Sequence, residues 1–203
     1  MKIAIIADVL GEENNGTTIT VKRLIKNLKM RGHDVEVVSP GETDEEGFHS
    51  VGKRDFKIFN NYVKRNGVEL AKPDEALLRK VIGDCDVVHI LMPFKMGKTA
   101  IRIANELKKP VTTAFHVQPE NVTSHVGLQK SKTANNFLYK YFYESFYRYA
   151  EYIHCPTQFI ADTLKKHGYE ADMRVISNGV DPIYKPEKEE KPADLEGKFC
   201  ILT

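Results

Sequence analysis

Residues 3–32, IAIIADVLGEENNGTTITVKRLIKNLKMRG, decide the fold. Ile3-Ala4-Ile5-Ile6-Ala7 is an apolar, largely β-branched run of strand length. Asp8 stops it, and a polar stretch follows as far as Thr17. Val21, Leu24, Ile25 and Leu28 then recur at helical spacing until Gly32 ends the segment. The pattern is strand, loop, helix.

The same unit repeats along the chain. Val35-Glu36-Val37-Val38 reads as a strand ending at Ser39-Pro40, and Ala76–Ile82 as a short helix entered through Pro73-Asp74. A strand over Asp86–Leu91 precedes an amphipathic helix carrying Met96, Ala100, Ile103, Ala104 and Leu107. Val111–Phe115 is the next strand. A polar loop leads from it to a long aromatic helix over 131–150 and a strand over 152–155. A helix from Thr157 to Gly168 and a strand over Met173–Ser177 complete the series. Strands alternating with helices require crossover connections, so the expected fold is α/β, a Rossmann-like parallel sheet with helices on both faces.

Two stretches break the rhythm. Residues 40–72 are polar and hold Gly41, Gly47, Gly52 and Gly67, with one alternating piece, Phe56-Lys57-Ile58-Phe59, which suggests a hairpin. Residues 185–198, KPEKEEKPADLEGK, combine proline, glycine and dense charge, the composition of a linker that cannot enter a core. Phe199-Cys200-Ile201-Leu202-Thr203 after it is strand-like. The expected organisation is one domain over 1–184, an interdomain linker over 185–198, and at 199–203 the first strand of a second domain that the chain does not include.

Composition supports a soluble globular chain. Its 203 residues are 41% hydrophobic and 29% charged, with a formal net charge of +2, which excludes wholesale disorder, collagen and coiled coil. That balance gives no reason to expect a nucleic acid partner. The opening apolar run is too short for a secretory signal or a membrane span. Cys85, Cys155 and Cys200 are odd in number and lack metal-ligand spacing, which reads as reduced thiols in a cytoplasmic protein with no zinc.

Ligands of such sheets bind beyond the carboxyl ends of the strands, where helix N-termini present unpaired N–H groups. Asn14-Asn15-Gly16-Thr17-Thr18 lies just ahead of the first helix and could cradle a diphosphate, with Gly16 allowing close backbone approach. It matches neither GxGxxG nor GxxxxGK[ST], and a plain capped helix start is an equal alternative. Met92-Pro93-Phe94, Pro156-Thr157 and Asn178-Gly179-Val180-Asp181 follow other strands. His116 follows a strand and opens a loop with Gln118, Glu120, Asn121, Thr123, Ser124 and His125, placing it to meet a sugar or phosphate. His89 and His154 sit inside strands and read as hydrogen-bonded core histidines. Asp84-Cys85-Asp86 has a DxD pattern but precedes its strand, on the wrong edge for a metal-bound diphosphate.

Phe137–Tyr149 concentrates Phe and Tyr on one helix. It is either packed on the sheet with hydroxyls reaching water or interfacial, since Tyr with Lys and Arg suits the headgroup zone. Lys22, Arg23, Lys26, Lys29 and Arg31, with Lys53, Arg54, Lys57, Lys64 and Arg65, add basic stretches compatible with an anionic membrane surface.

Arg31-Gly32-His33-Asp34-Val35, Phe115-His116-Val117-Gln118-Pro119-Glu120, Pro156-Thr157 and Val175-Ile176-Ser177-Asn178-Gly179-Val180-Asp181, in this order, resemble the N-terminal domain of family 4 glycosyltransferases. The similarity spans essentially the whole chain and is nearest to the bacterial glycolipid-forming members. It implies the N-terminal half of a GT-B fold in a retaining, metal-independent hexosyltransferase. The acceptor, a lipid or sugar, would lie mainly on this half, and the second domain would hold most of a UDP- or GDP-sugar. There would be no further cofactor. By the same resemblance His116 is the catalytic residue facing the transferred sugar, and Asn15, Gly16 and Thr17 lie on the donor phosphates. Phe94, Gln118, Glu120, Asn121, Thr157, Asn178 and Gly179 line the cleft. Asn15-Gly16 stands where many relatives have Gly-Gly, and the phosphate-clamping Arg/Lys pair belongs to the second domain. The resemblance further implies work at the inner face of the cell membrane. Two rivals remain, a flavodoxin-like FMN or phosphate module, which a colourless protein would dismiss, and a non-catalytic membrane-docking domain.

Overall fold

The strands of the repeated unit pair side by side in one parallel sheet of seven. The structure, a computed structural model, describes residues 1–10, 16–41, 44–53, 70–180, 185 and 191–200. The strands are β1 (Lys2–Ile6), β2 (Asp34–Pro40), β3 (Phe48–Val51), β4 (Val87–Ile90), β5 (Val111–Ala114), β6 (Tyr152–Cys155) and β7 (Asp172–Val175). Their order is β3-β2-β1-β4-β5-β6-β7, so the chain reverses direction of travel between β1 and β4. That reversal is where the loops diverge and leave a crevice beyond the strand ends.

The helices are α1 (Gly16–Met30), α2 (Glu75–Asp84), α3 (Lys95–Glu106), α4 (Pro119–Ser124), α5 (Lys132–Ser145) and α6 (Gln158–Lys166). Side chains alternate along a strand, so each strand offers one set to each face. Ala4, Ile6, Val88, Ile90, Val111, Ile153 and Cys155 point to one face, where Leu78 and Ile82 of α2, Met96 and Ile103 of α3, Tyr139 and Phe142 of α5 and Leu164 of α6 bury them. Ile3, Ile5, Val35 and Val37 point to the other, under Val21 and Ile25 of α1. Among the described residues α1 is the one helix packed on that second face.

Several elements differ from the sequence reading. The excursion holds a parallel strand: β3 pairs with β2 through Val37↔Phe48 to Pro40↔Val51. Only four residues long and at the sheet edge, it has too little apolar alternation to stand out. The hairpin expected around Phe56–Phe59 lies outside the described residues. The polar loop after β5 contains α4, started by Pro119 at its first turn. The aromatic helix breaks at Phe146, with a 3-10 turn over Tyr147–Tyr149. Tyr147 can then turn inward, where its hydroxyl donates to Ala114 O at 3.1 Å. Along the aromatic stretch the Tyr139 hydroxyl, like that of Tyr147, is taken up by the protein, donating to Glu120 Oε2 at 3.1 Å, while Tyr141 and Tyr149 stay exposed; beyond it, Tyr169 donates to Tyr139 O at 2.8 Å.

Candidate active site

The uncovered part of the α1 face forms a pocket of about 450 Å³. Its floor is built by the alternate positions of β4–β7: His89, Thr112, His154 and Arg174 occupy the sites that on β1 and β2 carry Ile and Val. One wall is a stripe of α1, Thr20, Arg23, Leu24 and Asn27, spaced i, i+3, i+4 and i+7. His116, just past β5, and Ile176-Ser177-Asn178, just past β7, complete the pocket at the carboxyl edge of the sheet.

Three imidazoles share this pocket. The His116 and His154 rings meet edge to face, centroids 5.8 Å apart at 77°. His154 Nε2 donates to Ile176 O at 2.6 Å, because a carbonyl can only accept. His89 Nδ1 lies 2.8 Å from Thr112 Oγ1. Burial, reinforced by His154, holds His116 down to about 4 from its ordinary 6.5. Burial, then His116 and His154, holds His89 down to about 3. Both rings are therefore neutral at physiological pH, able to donate at one nitrogen and accept at the other.

Arg23 Nη1 donates to Gly179 O at 2.9 Å and to Asn178 O at 3.5 Å, tying α1 to the loop after β7. Gly179 adopts φ +74°, a left-handed turn that favours glycine. Asn178 Oδ1 is buried in the pocket wall without a hydrogen-bond donor among the described residues. Arg174 pairs with Asp172 at 2.7 Å and lies over the Tyr152 ring. The strand-end motifs themselves contain no Arg or Lys, yet tertiary structure brings these two guanidinium groups to the pocket.

Asp8 closes the end of β1. Fully buried, its carboxylate accepts from Met96 N at 3.3 Å and Gly97 N at 3.1 Å in the first turn of α3. Burial pushes its pKa up to about 7 against those two amides. Gly97 has no room for a side chain, since a Cβ would stand 2.0 Å from Met92 O. The α3 N-terminus is thus clamped to the ends of β1 and β4.

Gly16 is the first residue of α1 and is exposed, with nothing among the described residues within 4 Å of an added Cβ. Thr17 is half-buried beside it, and Asn15 lies outside the described residues. As at any helix N-terminus, the first-turn amides of α1 have no acceptors within the helix, and the helix dipole there favours an anion. Of the other sequence candidates, the structure brings Asn178 into the pocket with His116 and leaves Gly179 at its rim. Gln118 precedes α4 half-buried, and Asn121 is exposed on it. The Glu120 carboxylate is engaged by Tyr139, and Thr157 caps α6 by accepting from Ile160 N at 3.3 Å. Phe94 lines a different hollow, a groove of about 650 Å³ between α3 and α5 with Leu138, Phe142, Lys95 and Lys98.

Sequence reasoning left His89 and His154 in the core, read Arg23 only as part of a basic surface stretch and passed over Arg174. A signal existed: polar residues at the alternate positions of β4–β7, and the polar stripe of α1. No group of His, Cys, Asp and Glu among the described residues is arranged to hold a metal ion, and no described helix is long and apolar enough to cross a membrane.

The sequence and the fold are similar to those of known proteins. The α-monoglucosyldiacylglycerol synthase of Streptococcus pneumoniae is 24% identical over 99% of this chain and 46% of its own length. A GDP-mannose-dependent α-mannosyltransferase of Corynebacterium glutamicum is 27% identical over 89% of this chain and 44% of its own length. The chain thus spans less than half the length of these relatives. In fold it is similar to HepE of Anabaena, solved in complex with UDP and glucose, with a TM-score of 0.57, 12% identity, and coverage of 89% of this chain and 45% of that one. The sequence pattern of glycosyltransferase family 4 matches residues 14–183, from the start of α1 past the Asn178-Gly179 turn, and the chain belongs to that family.

Proposed function

We propose that this chain is the acceptor-side half of a retaining, metal-independent glycosyltransferase that moves a hexose from a UDP- or GDP-sugar to a lipid or glycolipid acceptor. The observation that carries the reading is His116, a neutral imidazole held at the mouth of the pocket at the carboxyl end of β5. Breaking a glycosidic bond develops positive charge at the anomeric carbon. A neutral ring can hydrogen-bond a sugar hydroxyl there without opposing that charge. Gly16 and Thr17, with Asn15 ahead of them, offer the α1 N-terminus to the donor diphosphate, where amides and helix dipole favour an anion. The buried Asn178 Oδ1 is an acceptor for a substrate hydroxyl. In this reading residues 1–184 are the acceptor-side domain, 185–198 the linker and 199–203 the entry to the nucleotide-binding domain. Partial charge at a helix end is insufficient for the leaving diphosphate, so this chain folds but does not transfer sugar by itself. The test is glycolipid formation from UDP- and GDP-hexoses by the full-length protein and by this chain. Transfer by the former alone is expected, and turnover by the chain would overturn the division of labour.

The acceptor side extends to the membrane in the same proposal. Phe137 and Tyr141 stack in parallel on the outer face of α5, 67% and 47% exposed, with Lys98 Nζ 3.9 Å from the Tyr141 ring centre and Lys95 exposed nearby. This aromatic and cationic surface suits a headgroup layer. It lies across the sheet from the lysines of α1, so a flat bilayer can meet one or the other, and the aromatics favour α3 and α5. Binding to anionic vesicles at low salt with release at high salt supports this. Binding indifferent to lipid charge refutes it.

A further inference from the structure

We propose that His154 is a positioning residue that fixes the His116 ring and locks the loop after β7 to it. The inference rests on the role of His116 given above. The link has two ends: the His154 ring packs against His116, and its Nε2–H reaches across to Ile176 O at 2.6 Å. The backbone repeats the connection, since Phe115 N donates to His154 O at 2.9 Å and Ile176 N to Cys155 O at 3.0 Å. β6 therefore stands between the two loops that carry His116 and Asn178, and one side chain touches both. The bond to Ile176 settles the tautomer, leaving the proton on Nε2 and the lone pair on Nδ1 in the neutral ring. Its partner is a main-chain oxygen, so the ring orientation is set by the sheet itself and not by a mobile side chain.

Phenylalanine at this position would give a ring wall of similar size without the bond to Ile176. Alanine would give neither. The two variants separate the ring contact from the loop lock. Around His116 the charged and titratable groups lining the pocket are His89 on β4, Tyr152 and His154 on β6, Arg174 on β7 and Arg23 on α1. Replacing His154 removes the one chargeable ring that packs on His116, so the His116 titration moves up toward its ordinary value. Phenylalanine keeps the burial that is the main cause of the depression, so a role confined to packing would leave the His116 titration of that variant where it is.

The test has two readings. In the 203-residue chain, the imidazole C–H resonance of His116 is followed against pH by NMR, with amide exchange measured at Ser177–Gly179. His154→Phe and His154→Ala should both raise the His116 midpoint and speed loop exchange. In the full-length enzyme His154→Ala should lower kcat roughly tenfold to a hundredfold, the scale of a small misplacement of a reacting group, with donor KM little changed. His154→Phe should recover part of that loss. An unchanged His116 midpoint in the Phe variant, which keeps the core filled, overturns the proposal, as does full kcat in the Ala variant. If the full-length protein transfers no hexose at all, the reading of its activity fails, while the NMR measurement still decides the link between His154 and His116.

Discussion

The two faces of this sheet are made by the same strands and could hardly differ more. Toward α2, α3, α5 and α6 the strands present Ala, Val, Ile and Cys, all buried in one continuous apolar cluster with the Phe115, Tyr147 and Tyr169 rings. Toward α1 the same strands present Ile and Val on β1 and β2 and Val87 at the start of β4, whereas further along β4 to β7 they present His89, Thr112, Tyr152, His154 and Arg174 to the pocket. Adjacent residues such as Ile153 and His154 thus belong to different surroundings, one to the apolar core and one to the pocket. A face left open by the helices is where polar side chains can be held in fixed geometry without losing water entirely.

That contrast can be broken by mutation. The largest effect is expected for Gly97→Val. Its side chain would collide with Met92 O at the clamp between α3 and β4, at or beyond the top of the usual overpacking range of about 1–3 kcal/mol. Loss of soluble folded protein, or a large drop in Tm, is the readout. Ile153→Ala should cost about 2–5 kcal/mol by leaving a cavity under α5 and α6. His154→Phe, one residue on and facing the pocket, should shift Tm only slightly. Equal Tm losses for the pair would erase the distinction between the faces.

On the chemical side, His116→Ala in the full-length enzyme should lower kcat about 10²–10³-fold while leaving donor binding and folding nearly intact. Near-normal turnover would remove His116 from the reaction. Gly16→Val should fold normally, since nothing among the described residues opposes its side chain, and should weaken donor binding about tenfold by standing between the α1 amides and a phosphate. Unchanged affinity in a titration of the nucleotide sugar would count against the cradle.

The pH dependence of stability sharpens the same comparison. His89 and His116 are depressed to about 3 and about 4, so the stability they confer is present above about 6.5 and drains away as pH falls through those values. Asp8, raised to about 7, acts with the opposite sign, conferring stability in acid that is lost as pH rises from its ordinary 3.8 through 7. These two imidazoles, joined by His167, which burial also holds down, outweigh one carboxyl between 4 and 6.5, where stability should therefore rise with pH. Above that Asp8 alone acts, so thermal melts should peak near pH 6.5 and Asp8→Asn should flatten the decline beyond it. A wild-type Tm that climbs steadily to pH 8 would contradict this assignment.

The strand and helix pattern was legible because it is local: the run Ile3–Ala7 and the stripe Val21, Leu24, Ile25, Leu28 announce themselves at periods of about two and 3.6 residues. The edge strand Phe48–Val51 and the short helix Pro119–Ser124 did not, because brief elements carry too few periods to register and are held by pairing with β2 or packing on α5. Of the site, His116 and Asn178 were readable from their places after strands. Phe94, in contrast, shares the strand-end position yet faces the α3–α5 groove, since its direction depends on how α3 is clamped by Asp8.

The sequence by itself therefore determined the alternation, the parallel sheet, the resemblance to family 4 and the strand-end residues, all consequences of short-range periodicity and motif order. Only the tertiary structure decided that Arg23, more than 150 residues before Asn178 and Gly179, grips their carbonyls, and that three imidazoles from three strands share one pocket. Such contacts depend on strand order and on which face each helix covers, and neither is encoded within any one segment.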